Sequence, residues 1–278
     1  MCNFTLLFEI DRMKTIFRPT LLLFLLLFSL VNCQHESVSS TPEKVKKRIA
    51  FSEEFKDLVV FEKYVQKIDE NKALQKIQGL FYTDSDGNTN EATAWLDANM
   101  NIVKIKQIEN LTSGKKYERT FYFCDGLKTV SQQITAHYEL KVPYFSEERS
   151  YYSSNESVIA TFQRSSKQED LSLQTLSVGE KHVCSHREAL DIIKRTGDFE
   201  TRFRGFDEAF GRNFIVLGTE NQSTTLAFNV ESPMLKTLKN NEKSFINKPF
   251  DVEFSPITEP DGFTFQALIN LSLVKDEQ

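Results

Sequence analysis

From Leu74 to Arg164 the chain alternates between apolar and polar residues, and short polar turns interrupt it at roughly 8- to 12-residue intervals. Successive side chains of a strand point to opposite faces, so a period of two commits this stretch to half-buried β structure. The runs are Leu74–Tyr82, Glu91–Asp97, Ile102–Glu109, Lys116–Phe123, Leu127–Thr135, His137–Val142, Glu147–Tyr152 and Val158–Arg164. Between them lie Asp84-Ser85-Asp86-Gly87, Asn99 to Asn101, Ser113-Gly114, Asp125-Gly126 and Ser153 to Asn155, residues that supply the positive φ of tight hairpins. Tyr117, Arg119, Phe121 and Phe123 alternate with Glu118, Thr120 and Tyr122, as in a strand with one face covered. Sequential hairpins of this kind predict an antiparallel meander. Asp84 to Asn88 also has the opening composition of a calcium loop. Its glycine stands fourth rather than sixth, and Trp95 occupies the place of the closing glutamate, so a hairpin turn is the better reading.

The meander is flanked by helical patterns. Ser52 to Asn71 carries Phe55, Leu58, Val59, Val65 and Ile68 at helical spacing, with Glu53 and Glu54 in the first turn, where the helix dipole favours anions. This predicts a helix that covers the sheet, the two forming a domain over 51–167. Residues 168–184 break the alternation and read as a linker. A domain over 185–278 follows, opening with a short helix from His186 to Arg195 that ends at Gly197. Strands are predicted at Phe199–Phe206, Asn213–Thr219, Thr224–Val230, Phe250–Ser255 and Phe263–Leu273, with a helix from Pro233 to Asn241 capped by Ser232. Five strands with one helix between the third and fourth resemble the OB-fold, a small Greek-key barrel, over about eighty residues. The expected class is therefore mainly β (α+β): a helix-topped antiparallel meander followed by an OB-like barrel domain.

The N-terminus sets the address. Leu21 to Val31 is apolar except for Ser29, and Lys14 and Arg18 precede it. That run is shorter than the roughly 20 residues a membrane-spanning helix needs, so residues 1–33 read as a secretory signal, with Met13 a better start than Met1. Leu30-Val31-Asn32-Cys33 resembles the lipobox of bacterial lipoproteins, with Asn32 where Gly, Ala or Ser is usual. The resemblance implies cleavage before Cys33, acylation of its thiol and a membrane-anchored protein of the cell envelope, facing the periplasm or the cell surface. Gln34 resembles the residue after the cysteine in outer-membrane-directed members of that family. Residues 34–50 then form a flexible tether, with Lys44, Lys46, Lys47 and Arg48 read as a solvated face rather than a headgroup contact because Glu43, Glu53 and Glu54 dilute them.

The net charge of −5 excludes duplex nucleic acid as a partner, since its backbone demands a clustered positive footprint. Twenty-four phenylalanines indicate packed cores rather than disorder. Beyond the leader only Cys124 and Cys184 remain, a pair that an oxidising compartment could bridge or that could stay as two thiols. Sequons at Asn110, Asn155, Asn221 and Asn270 would accept glycans in a eukaryotic secreted protein.

Residues suited to chemistry are sparse. His182, Cys184 and His186 alternate so that an extended segment would put all three on one side, a weak metal-site pattern with no fourth ligand, and a polar linker is the better reading. Glu147 and Glu148 are adjacent carboxylates, but neighbours on a strand face opposite ways. Gly-x-Ser-x-Gly, phosphate-loop and His-Glu-x-x-His motifs are all missing, and nothing asks for a cofactor. Tyr144, Phe145, Tyr151 and Tyr152 flank Glu147-Glu148-Arg149 and would serve either a core or a sugar- or peptide-binding groove, the core being favoured. The expected function is non-enzymatic binding or scaffolding at a membrane, with the anchor contacting lipid and a protein or glycan as ligand. The alternative is a periplasmic or surface hydrolase acting on glycan or peptide, which needs two converging carboxylates or a histidine-based pair.

Overall fold

The computed structural model describes residues 53–139 and 141–274, with side chains from Lys56 onward, so the leader, Cys33 and the tether lie outside the described residues. The meander forms as the alternation predicts. Its strands are β1 (Gln75–Gln78), β2 (Tyr82–Asp84), β3 (Thr89–Leu96), β4 (Ile102–Asn110), β5 (Lys115–Cys124), β6 (Leu127–His137), β7 (Tyr144–Tyr152), β8 (Val158–Ser166) and the short β9 (Ser177–Val178). From β2 to β9 each pairs antiparallel with the next. Both β1 and β2 lie along the same edge of β3, with a break at Gly79 to Phe81. The strand expected over His137–Val142 does not form: β6 runs on through His137, and Tyr138, Glu139 and 141–143 make the connection to β7 instead. Asp84 closes the β2–β3 turn by accepting from the backbone N–H of Asp86 and Asn88, each at 2.9 Å, as a hairpin rather than an ion site.

One face of the meander lies under helix α1 (Val59–Glu70), which a 3₁₀ turn over Glu53–Leu58 leads into. Leu58, Val65 and Ile68 point into the sheet and meet Val103, Tyr122, Val130, Tyr151, Ala160 and Phe162. Each such aliphatic side chain contributes about 1.5–3 kcal/mol by leaving water. Val59, named in the same stripe, stays 39% exposed. Polar pins fix the helix in place. Asp69 takes Lys104 at 2.7 Å and the Tyr122 hydroxyl at 3.1 Å, the Tyr64 hydroxyl donates to the Phe123 carbonyl, and Glu62 takes Tyr151 at 2.7 Å and buried Arg149 at 2.8 Å.

The opposite face is covered differently. After β8 the chain turns through β9, and residues 179–186 cross the sheet as a strap. Helix α2 (Arg187–Lys194) follows, over β3 and β4. Its Ala189 and Ile192 pack among Leu80, Ala92, Ile105 and Phe121. The close approach uses Gly79, where a Cβ would stand 2.8 Å from the Ile192 side chain. The left-handed residue that ends α2 is Arg195, not the expected Gly197.

The remaining strands are β10 (Phe203–Ala209), β11 (Arg212–Gly218), β12 (Gln222–Phe228), β13 (Phe250–Thr258) and β14 (Thr264–Leu273). Helix α3 (Pro233–Asn240), capped by the Ser232 hydroxyl accepting from Leu235 N–H, sits between the third and fourth, followed by the single turn α4 (Glu242–Phe245). They run in the order β10-β11-β12-β14-β13, with β12 and β14 parallel. The element order expected of an OB-like unit is therefore present, but the barrel does not close. At the seam β10 and β13 share no ladder, only the Arg202↔Pro249 bridge and backbone bonds such as Phe250 N–H to Thr201 at 2.9 Å. Nor is it separate from the meander. β12 pairs with β2 at Ser223↔Thr83, so one sheet runs through all fourteen strands, and one apolar cluster takes in Tyr82 and Phe121 together with Phe203, Leu226 and Phe250. The cause is geometric. β2 is three residues long, so it covers only the start of β12's edge and leaves the rest to β14.

Candidate functional site

The register of the meander aligns polar side chains into rows on the face that the strap crosses. Gln107, Arg119, Gln133, Glu148, Gln163 and Ser177 stand side by side across β4 to β9. Two residues further along each strand, Glu109, Tyr117, Thr135, Ser146 and Ser165 form the next row on the same face. Gln107 is buried and taken by Asn90 and by Glu188 of α2. Thr135 is buried as well, and Gln133, Thr135, Tyr144, Ser146, Glu148, Gln163, Ser165, Gln174, Thr175 and Ser177, with Glu147 and Arg164, line a basin of about 440 Å³.

Charge in this basin is already matched. Arg119 donates to Glu109 at 2.8 Å and to Gln133 at 2.9 Å, and lies over the Tyr117 ring at 4.6 Å. Glu148 holds the His182 imidazole of the strap. Glu147, on the opposite face, is buried against Arg164 at 2.6 Å and Gln132 at 2.6 Å. The two adjacent carboxylates are thus split by the sheet, as period two requires, and each is engaged by a nitrogen partner. What is left toward solvent is neutral: the hydroxyls of Ser146, Ser165 and Tyr144 and the amide of Gln163 donate to no protein partner among the described residues. Of the four aromatics flanking the carboxylates, Phe145, Tyr151 and Tyr152 are buried, and only Tyr144 reaches the basin.

The strap is pinned along its length. Ser150 donates to the His182 carbonyl at 3.1 Å, Cys184 N–H donates to the Tyr152 hydroxyl at 3.1 Å, and Lys128 donates to the Cys184 carbonyl at 2.6 Å. The Lys128 ammonium sits 4.0 Å from the Tyr152 ring centre, and burial lowers its pKa from the ordinary lysine value. The three residues with a metal-like pattern do not converge. His182 faces Glu148, Cys184 is buried with its thiol pKa pushed up by burial, and His186 packs edge-on against Phe123 at 5.2 Å with its pKa lowered by burial and by nearby Lys128. Among the described residues no three His, Cys, Asp or Glu gather in a metal-holding group. The cysteine pair is not bridged: Cys184 is a buried thiol and Cys124 an exposed one at the β5–β6 turn. Among the described residues no helix is long and apolar enough to cross a membrane.

Sequence reasoning reached Tyr144, Glu148 and His182 singly but not the basin, because the basin is a property of register between strands. Neither a scan against protein-family models nor searches of curated proteins and of solved structures finds a match.

Proposed function

We propose that this chain is a membrane-tethered, extracytoplasmic binding protein, anchored through acylated Cys33, that holds a neutral glycan in the basin of its meander. One observation supports the ligand class: the charged residues that line the basin are paired within the protein, Glu147 with Arg164 and Glu148 with His182, while the hydroxyls of Ser146, Ser165 and Tyr144 and the Gln163 amide are unused. A charged ligand would have to break those pairs. A polyhydroxylated one finds donors and acceptors at strand spacing, with the exposed Tyr144 ring as a stacking surface. The engaged state of Glu147 and Glu148 favours binding over hydrolysis, which needs free carboxylates to share acid and base roles.

Titration calorimetry against a panel of neutral, acidic and basic oligosaccharides tests the ligand. Wild type is expected to bind a neutral member, and Gln163→Ala and Tyr144→Ala to lose binding while melting like wild type. Preference for an acidic sugar, or no binding to any, would sink the proposal, and shortening of the bound glycan would replace it with the hydrolase. Intact mass of membrane-extracted protein tests the anchor: acylated Cys33 as N-terminus is expected, and an unmodified thiol would remove it.

A further inference from the structure

Two hairpins of the molecule close through two-residue turns in which both central residues have positive φ. At the β5–β6 turn these are Asp125 (φ 52°) and Gly126 (φ 79°), and at the β10–β11 turn they are Phe210 (φ 52°) and Gly211 (φ 70°). The first pair is what such a turn favours, because aspartate and glycine tolerate the left-handed region. The second is not. A bulky side chain there is strained, and Phe210 gains nothing back from burial, being 91% exposed. Folding alone would replace it with asparagine.

Phe210 does not stand alone. Its ring lies 6.3 Å from Phe263, at the β13–β14 turn, and Phe263 stacks on Phe265 at 6.1 Å. Arg212 holds the two hairpins together, lying 4.4 Å over Phe265 and pairing with Glu259. Asp207, on the same face of its hairpin as Arg212, and Asp261, two residues before Phe263, carry exposed carboxylates with no cationic partner among the described residues. An aromatic surface rimmed by unpaired negative charge repels anionic lipid and nucleic acid alike. It suits a cation, because ring faces attract ammonium and guanidinium groups and the rim adds direct ion pairs.

We infer that the paired tips of the β10–β11 and β13–β14 hairpins dock a Lys- or Arg-containing polypeptide segment, with Phe210 and Phe263 as the stacking anchors and Asp207 and Asp261 as the charged rim. This site is distinct from the basin and does not depend on the glycan reading.

The test holds the full chain in phosphatidylcholine nanodiscs and offers it an array of short immobilised peptides of random sequence. Wild type is expected to retain peptides enriched in Lys and Arg beside apolar residues, more weakly as salt rises. Phe210→Asn is expected to weaken retention by about tenfold or more, as loss of an interface anchor does, and at the same time to melt at a higher temperature than wild type. Asp207→Asn with Asp261→Asn should weaken retention without that rise. Retention of no peptide, retention of neutral or acidic peptides, or retention unchanged by Phe210→Asn overturns the inference. So does quenching of Phe210→Trp by brominated lipid without peptide, beyond that of Trp95 in wild type, which would put the tips in the bilayer.

Discussion

The two faces of the meander carry the same alternation and do different work. Under α1 the sheet is sealed: apolar side chains close the centre, and the polar groups that enter are tied to the helix, Arg149 by Glu62 and Lys104 by Asp69. On the other face the strap and α2 seal only the half beyond Phe121, and the rows from Arg119 to Gln163 stay open to solvent. The difference lies in what covers each face. An eight-residue α2 and a pinned strap cannot shield the five strands from β4 to β8, so the polar residues of those strands stay open there.

Perturbing the sealed face should hurt most. Glu62→Ala leaves the Arg149 guanidinium buried without its carboxylate, and a loss of about 3–5 kcal/mol in denaturant-induced unfolding is expected. A cost below about 1 kcal/mol would mean that α1 is not the seal described. Next comes the boundary between the faces: Gly79→Ala places a Cβ 2.8 Å from Ile192 and 3.1 Å from the Ala92 carbonyl, and about 1–3 kcal/mol should be lost by over-packing. A neutral result there would show α2 free to shift. The third test uses alkali. Burial raises the pKa of Tyr64, on α1, to about 12 and also raises those of Tyr122 and Tyr151 in the sheet beneath it. The unfolded chain releases these protons near pH 10 and the folded chain holds them, so stability is intact below about pH 10 and falls as pH climbs from there toward about 12. Urea midpoints followed across that range should drop, and less steeply in Tyr64→Phe. A flat profile would contradict the burial of these hydroxyls. The smallest effect belongs to the open face: Glu148→Gln breaks a half-exposed pair with His182 and should cost under about 1 kcal/mol. A larger loss would make that pair part of the scaffold rather than of the basin.

Much of the meander was readable because its turns announce themselves. Asp84 to Gly87, Ser113-Gly114 and Asp125-Gly126 each sit where a hairpin closes, and Leu58, Val65 and Ile68 mark the buried stripe of the covering helix. His137 to Val142 misled because it alternates while belonging partly to β6 and partly to a connection that ends at Pro143. The β10–β11 turn was harder, since a bulky phenylalanine does not announce a left-handed turn. Order of elements gave the OB-like path of the C-terminal strands, but nothing local reveals that β12 would share an edge between β14 and β2. For the same reason His182, Cys184 and His186 looked like one cluster: period two holds for a strand, whereas the strap is held by side chains to the sheet beneath it.

The shared edge of β12 bears on how such a chain can have been assembled and how it can change. A protein made of self-contained modules can lend one to another gene, lose one, or be cut between them and still yield soluble pieces. Here a cut anywhere between β9 and β10 would strip β2 and β12 of each other and open a cluster that runs from Tyr82 to Phe250. Neither half, cut there, would keep its share of that cluster covered.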